Sequence, residues 1–194
     1  MLSHNPLLST QGSLDEIIKL PLEPHWYALY TRSHCERLVS DQLRAFGFSV
    51  FLPELKVVSR RGGNQHFIDV PLFPGYLFLR HAMDKASYLQ VRQARGLVRI
   101  LGGHWDNLAV IPEIEIRSIQ IVVRSQVPFI TSPRYYGLKE GTHVRIIDGS
   151  LAGVEGIILP EQRKLGTGML VLSVELLRRS IAIEIGITNV ELIN

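Results

Sequence analysis

Cysteine is almost absent from this 194-residue chain: Cys35 stands alone, so no internal disulfide can form, which fits a reducing, cytoplasmic compartment. No apolar run approaches the ~18 residues a membrane helix needs, so no membrane partner is expected. The first 24 residues lack a basic start followed by a long apolar segment, which argues against a secretory signal. The histidines (His4, His25, His34, His66, His81, His104 and His143) show no paired ligand spacing, and no metal is expected. Catalytic patterns are missing too. No serine sits in a nucleophile-elbow setting, and Cys35 has no recognisable catalytic histidine context. Gly149, Gly153 and Gly156 could suggest a phosphate loop, but no Lys-Ser/Thr follows and the flanks read as strands. Glu113 and Glu115 fall where a helix start favours acids for structural reasons alone. No enzyme and no cofactor are expected; what remains is binding.

Charge is also sparse and unevenly placed. The chain is 46% apolar, 20% charged and carries a net +3. Residues 25–133 hold 13 Lys and Arg against 8 acids, all arginine except Lys56 and Lys85, while residues 134–194 balance at 7 against 7. A polyanion would therefore meet the first part, and arginine favours planar contacts to phosphate and bases. So small an excess does not hold DNA tightly by itself at physiological salt.

The densest signal is Val70–Arg80, V-P-L-F-P-G-Y-L-F-L-R. Pro71 and Pro74 cannot donate to a ladder and fit a strand entry. In the run that follows, Tyr76 and Phe78 share one face and Leu77 and Leu79 the other. Either both faces are core, or one set is left for a partner.

Around it the pattern predicts a strand over 25–31 and an amphipathic helix over 34–46, with Ser33 as N-cap and Glu36 completing a capping box. A strand over 48–52, a hairpin of 55–60 and 65–70 with Arg60 and Arg61 at its tip, a helix over 82–93 and a strand over 97–101 follow. Residues 112–126 mix both periods; Pro112, the early acids and the late Arg124 favour a helix. Strands at 144–146, 154–159, 169–174 and 181–185, punctuated by glycines, read as a small barrel. The expected class is α+β: an antiparallel-sheet α/β sandwich followed by a five-stranded β-barrel. The expected units are a flexible arm over 1–24, a sandwich domain over 25–126, a linker over 127–136 and the barrel domain over 137–194. Arg32, His34 and Arg37 cluster at the first helix start, with Arg95 and Arg99 beyond the second helix, forming a basic rim or simply a solvated face.

W-Y-A-L-Y-T (26–31), L-F-P-G-Y-L-F (72–78) and A-R-G-L-V-R (94–99) together resemble the N-terminal domain of the bacterial NusG family of transcription elongation factors. The segment G-x-x-V-R-I-I-D-G-x-x-x-G-x-x-G (141–156) is similar to that family's KOW barrel. The resemblance implies a monomer that grips RNA polymerase through an apolar hollow, with Tyr30, Pro74, Tyr76 and Phe78 on the contact face and the leucines in the core. It implies a second contact across the polymerase cleft near Ser87, Tyr88, Leu89 and Gln90, though these do not match the RfaH motif. Arg32, His34, Arg37, Arg61 and Arg95 would then lie beside upstream or non-template DNA. Leu151, in the first barrel loop, would mark the surface that meets Rho or a small-subunit ribosomal protein. Arg32-Ser33-His34, Ser150 and Leu151 depart from the housekeeping pattern and look closer to RfaH-like paralogues that antiterminate selected operons. The alternatives are a housekeeping factor acting with Rho and the ribosome, or a ribosomal or RNA-binding KOW protein. Gly166 and Gly168 disfavour a long-helix form of the barrel segment.

Overall fold

The computed structural model describes residues 23–61, 64–126, 130–131, 141–160, 167–174, 177–186 and 190–193. Of the expected arm over 1–24, residues 1–22 therefore lie outside the described residues. In chain order the elements are β1 (His25–Thr31), α1 (Glu36–Ala45), β2 (Ser49–Phe51), β3 (Glu54–Arg61), β4 (Asn64–Pro71), β5 (Tyr76–His81), α2 (Lys85–Val91), β6 (Leu97–Ile100), β7 (Val110–Ile111), α3 (Glu113–Ser125), β8 (Ile130–Thr131), β9 (Thr142–Ile146), β10 (Glu155–Pro160), β11 (Thr167–Val174), β12 (Arg179–Gly186) and β13 (Val190–Leu192).

The first sheet runs β2-β5-β1-β6, with β7 also pairing β1, and all its described pairings are antiparallel. Cross-strand partners share a face. One face carries Tyr27, Leu29, Leu77, Leu79 and Ile100, packed with Val39 and Leu43 of α1 and Val91 of α2. The other carries Trp26, Ala28, Tyr30, Tyr76, Phe78 and Phe51. α3 covers part of this second face: Ile116, Ile119 and Val122 are buried in one cluster with Trp26, Ala28 and Phe78. Glu113, at the start of α3, accepts from Trp26 Nε1 at 2.9 Å and lies 3.7 Å from Arg80 Nε.

The second sheet runs β13-β9-β10-β11-β12-β8, again antiparallel throughout. Its last five strands in sequence make the expected glycine-punctuated array, whose core holds Val144, Leu170, Leu172, Ile181 and Ile183. The expected linker lies mostly outside the described residues, but Ile130–Thr131 within it pair with β12. The two sheets meet through α3. The Glu155 N–H donates to buried Ser118 Oγ at 3.2 Å, and Ile121 approaches Gly153. Among the described residues no helix is long and apolar enough to cross a membrane.

Two local expectations need correction. Ser33 does not cap α1: the N-cap is Cys35, with no side-chain cap bond, and the Glu36 carboxylate instead accepts the Gly75 N–H. α2 begins at Lys85 rather than Ala82, because Asp84 takes the Ser87 N–H at 2.7 Å and fixes the first turn there. β7 and β13, of two and three residues, are too short to show a period.

Candidate binding surface

The tight turn 72–75 sets the site. Leu72 and Phe73 bury, Pro74 is exposed, and Gly75 adopts φ +86, where L side chains are strained. Its amide donates to Glu36 Oε1 at 2.7 Å, and its carbonyl accepts from the Thr31 N–H at 2.8 Å. Glu36 is itself only 6% exposed, so a buried carboxylate of α1 holds the turn that precedes β5. This positioning role was missed from the sequence, where the S-x-x-E spacing pointed to a cap. Glycine is required at 75 for a second reason: a Cβ there would sit 3.1 Å from the Tyr30 ring.

Tyr30 and Tyr76 pair across β1 and β5, their rings 5.2 Å apart and tilted 42°. Tyr30 is 37% exposed, and Tyr76 is half-buried. Exposed Arg99 stands opposite Tyr30 on β6, and exposed Pro74 belongs to the same turn. The aromatic face is therefore divided, closed under α3 at one end and open at the other around the tyrosine pair.

Phe78 requires correction. Expected on an open contact face, it is fully buried, stacked on Phe51 and met edge-on by Phe73, both at 6.0 Å. The alternation placed it on the correct face; α3, far along the chain, closes that end. Leu151 is corrected likewise. It is buried, beside a shallow cavity lined by Ile146, Asp148, Glu184 and Val190, rather than standing out from the first barrel loop.

The basic residues separate into three places. The Arg32 N–H donates to Gly96 O at 2.8 Å, and Gln42 clasps the Arg95 backbone at 3.0 and 3.1 Å, so exposed Arg32, His34 and Arg95 share one region. Gly96 (φ +95) permits that approach, since a Cβ would fall 2.8 Å from Cys35 Cβ. Arg37 is committed elsewhere: its guanidinium meets Glu54 at 2.7 Å and Asp69 at 3.7 Å, and the Glu54 hydrogen bond raises its pKa. Arg61 ends β3, in the separate β3–β4 ladder, and its side chain lies outside the described residues.

On α2, Ser87 Oγ lies 2.9 Å from His81 Nε2, while its N–H holds the Asp84 carboxyl below its ordinary value. The Arg92 guanidinium sits 5.8 Å from the Tyr88 ring centroid, and Leu89 and Gln90 are exposed. Among the described residues no cluster of His, Cys, Asp and Glu could hold a metal. The chemistry on offer is an apolar, ring-lined opening with cations near it.

A family model described as "Transcription termination factor nusG" matches residues 24–120. The chain is 28% identical over 176 residues to the "Transcription termination/antitermination protein NusG" of Escherichia coli K12, covering 86% of this chain and 94% of that one. The protein of the same description from Buchnera aphidicola is 27% identical over 177 residues, with the same coverage. The Streptococcus pyogenes counterpart is 27% identical over 145 residues, 69% of this chain and 79% of that one. The solved structure "Domain interaction in Thermotoga maritima NusG" covers 90% of this chain and 99% of its own at TM-score 0.52 and 19% identity, a likeness of fold.

Proposed function

This chain belongs to the NusG family of transcription termination/antitermination proteins, and from that premise we propose that it grips RNA polymerase through the open end of its aromatic face and promotes processive elongation on selected operons. The reading involves no catalysis. It treats residues 25–126 as the polymerase-binding unit, 127–136 as a linker and 137–194 as the KOW unit.

The observation that carries it is the divided face. Tyr30 and Tyr76 remain accessible beside Arg99 and beside Pro74, whose turn is held by Glu36. Covering each half-open ring is worth roughly 1.5–3 kcal/mol in area terms, before the cost of association. Phe78, on the same face but buried under α3, takes no direct part. Arg32, His34 and Arg95 lie beside upstream or non-template DNA, which docking brings to high local concentration. Ser87, Tyr88, Leu89 and Gln90 make a second contact across the cleft, with Leu89 and Gln90 facing outward.

The buried position of Leu151 favours the specialised reading over a housekeeping factor, because that loop offers no protruding ring to Rho or a ribosomal protein. Co-sedimentation of the full chain with RNA polymerase tests the main claim. Tyr76→Ala and Tyr30→Ala should each weaken association about tenfold, and retention of full affinity by both variants would overturn it. Strong capture of Rho by the full chain would instead return the housekeeping role.

A further inference from the structure

β6 ends one side of the first sheet, and it sets a cation on the aromatic face. Arg99 of β6 is the cross-strand partner of Tyr30, which in turn pairs with Tyr76 of β5. Cross-strand partners share a face, with Cβ atoms about 4.5–5.5 Å apart. Tyr76, Tyr30 and Arg99 therefore make one row across β5, β1 and β6, at the end of the face that α3 leaves open. Arg99 is exposed.

Its charge is unanswered. Arg37 meets Glu54 and Asp69, Arg44 lies near Asp41 and Arg80 near Glu113. The Arg99 side chain makes no ion pair or hydrogen bond among the described residues. Glu113 is occupied at the far end of the same face, by Trp26 Nε1 and Arg80.

Any surface that covers Tyr30 and Tyr76 passes over or beside this guanidinium. Stripping water from an unpaired cation costs as much as covering a ring gains, so an uncharged apolar partner would lose at Arg99 what it won at the tyrosines. A partner with a carboxylate at that place avoids the loss, and the planar guanidinium can hold both oxygens at once. A nucleic-acid phosphate fits less well. The two rings lean on each other, 5.2 Å apart and tilted 42°, a shared floor rather than two free faces for bases. Arg95, by contrast, is fastened through its backbone to Gln42 of α1, the helix that packs on the leucine face of the sheet.

We propose that Arg99 pairs with a carboxylate on the protein surface that covers Tyr30 and Tyr76, so that the docking partner presents an acid beside an apolar ridge. The proposal rests on docking through the tyrosine pair and adds the charge that selects which surface can dock.

The test titrates the full chain against purified RNA polymerase free of nucleic acid, which leaves protein carboxylates as the anions on offer. Arg99→Gln should weaken association about tenfold and flatten its dependence on salt. Arg99→Glu should weaken it further, about a hundredfold. Arg99→Lys keeps the charge, loses the fork and should fall between the parent and the Gln variant. That variant also gives a direct readout, because a carbodiimide joins a lysine amine to a carboxylate in contact with it. Mass spectrometry should then map a crosslink from position 99 to an Asp or Glu of the polymerase. Parent-like binding by Arg99→Gln, while Tyr30→Ala still weakens association, overturns the acidic partner and leaves docking through the tyrosines standing. A loss in Arg99→Gln that appears only after DNA is added assigns the arginine to a phosphate and overturns the proposal too. Full affinity in both Tyr30→Ala and Tyr76→Ala strikes the docking reading, and the proposal with it.

Discussion

Glu36→Ala is the most revealing single substitution, because it removes one buried carboxylate and leaves every ring in place. In the parent, Glu36 Oε1 accepts the Gly75 amide at 2.7 Å at a site only 6% exposed. A hydrogen bond to a charged group is worth about 1.5–3 kcal/mol net, and the buried amide left unpaired adds to the loss. The acid also sits in the first turn of α1, where it complements the helix dipole by roughly 0.3–1 kcal/mol. A total cost of about 2–4 kcal/mol follows, or roughly 10–20 °C in melting temperature for a unit of this size. Glu36→Gln keeps an acceptor and should recover about half. Urea unfolding of parent, Gln and Ala variants reads the ranking directly. Polymerase co-sedimentation, at a temperature where all three are folded, then reads whether the turn still presents Pro74 and Tyr76. An Ala variant within about 0.5 kcal/mol of the parent, or a Gln variant no better than Ala, would refute the assignment of Glu36 as the anchor.

Gly75→Ala should cost about 1–2 kcal/mol in urea unfolding, since φ is +86 and the new Cβ would press the Tyr30 ring at 3.1 Å. Ser40→Ala should raise stability by about 0.5 kcal/mol in the same measurement: its buried hydroxyl on α1 has no hydrogen-bond partner, and alanine is the better helix former. Asp84 has its carboxyl held below its ordinary value of 3.8 by the Ser87 amide. Its capping contribution is therefore complete above that value and lost as pH falls through the depressed one. Thermal melts between pH 2 and 6 should show this acid loss reduced in Asp84→Asn, which caps without titrating.

The elements with a strong period or a clear end or turn signal were legible in the chain. β1 occupies the residues its aromatic run indicated, and α1 follows the spacing of Val39 and Leu43. The β3–β4 hairpin forms around the Arg-Gly-Gly-Asn signal, and α3 follows Pro112 with acids first and Arg124 last. Long-range pairing was not legible. The spacing of Ser33 and Glu36 looks like a capping box, yet the carboxylate is recruited by Gly75, 39 residues away. The alternation of Tyr76 and Phe78 gave their shared face but not how far α3 would cover it, which depends on Ile116 and Ile119 reaching back across the sheet. Arg37 reads as one more cation near a helix start. Only the fold shows it tied to Glu54 and Asp69.

Photo-crosslinking puts the polymerase claim to the most direct test. A benzophenone amino acid replaces Tyr30, whose ring stands at the open end of the aromatic face, and in a control chain replaces Phe46, exposed at the end of α1. With purified RNA polymerase, the probe at 30 should join covalently to a polymerase subunit and the probe at 46 should not. Equal crosslinking from both positions, or none from 30 while the complex still forms, would contradict docking through the tyrosine pair.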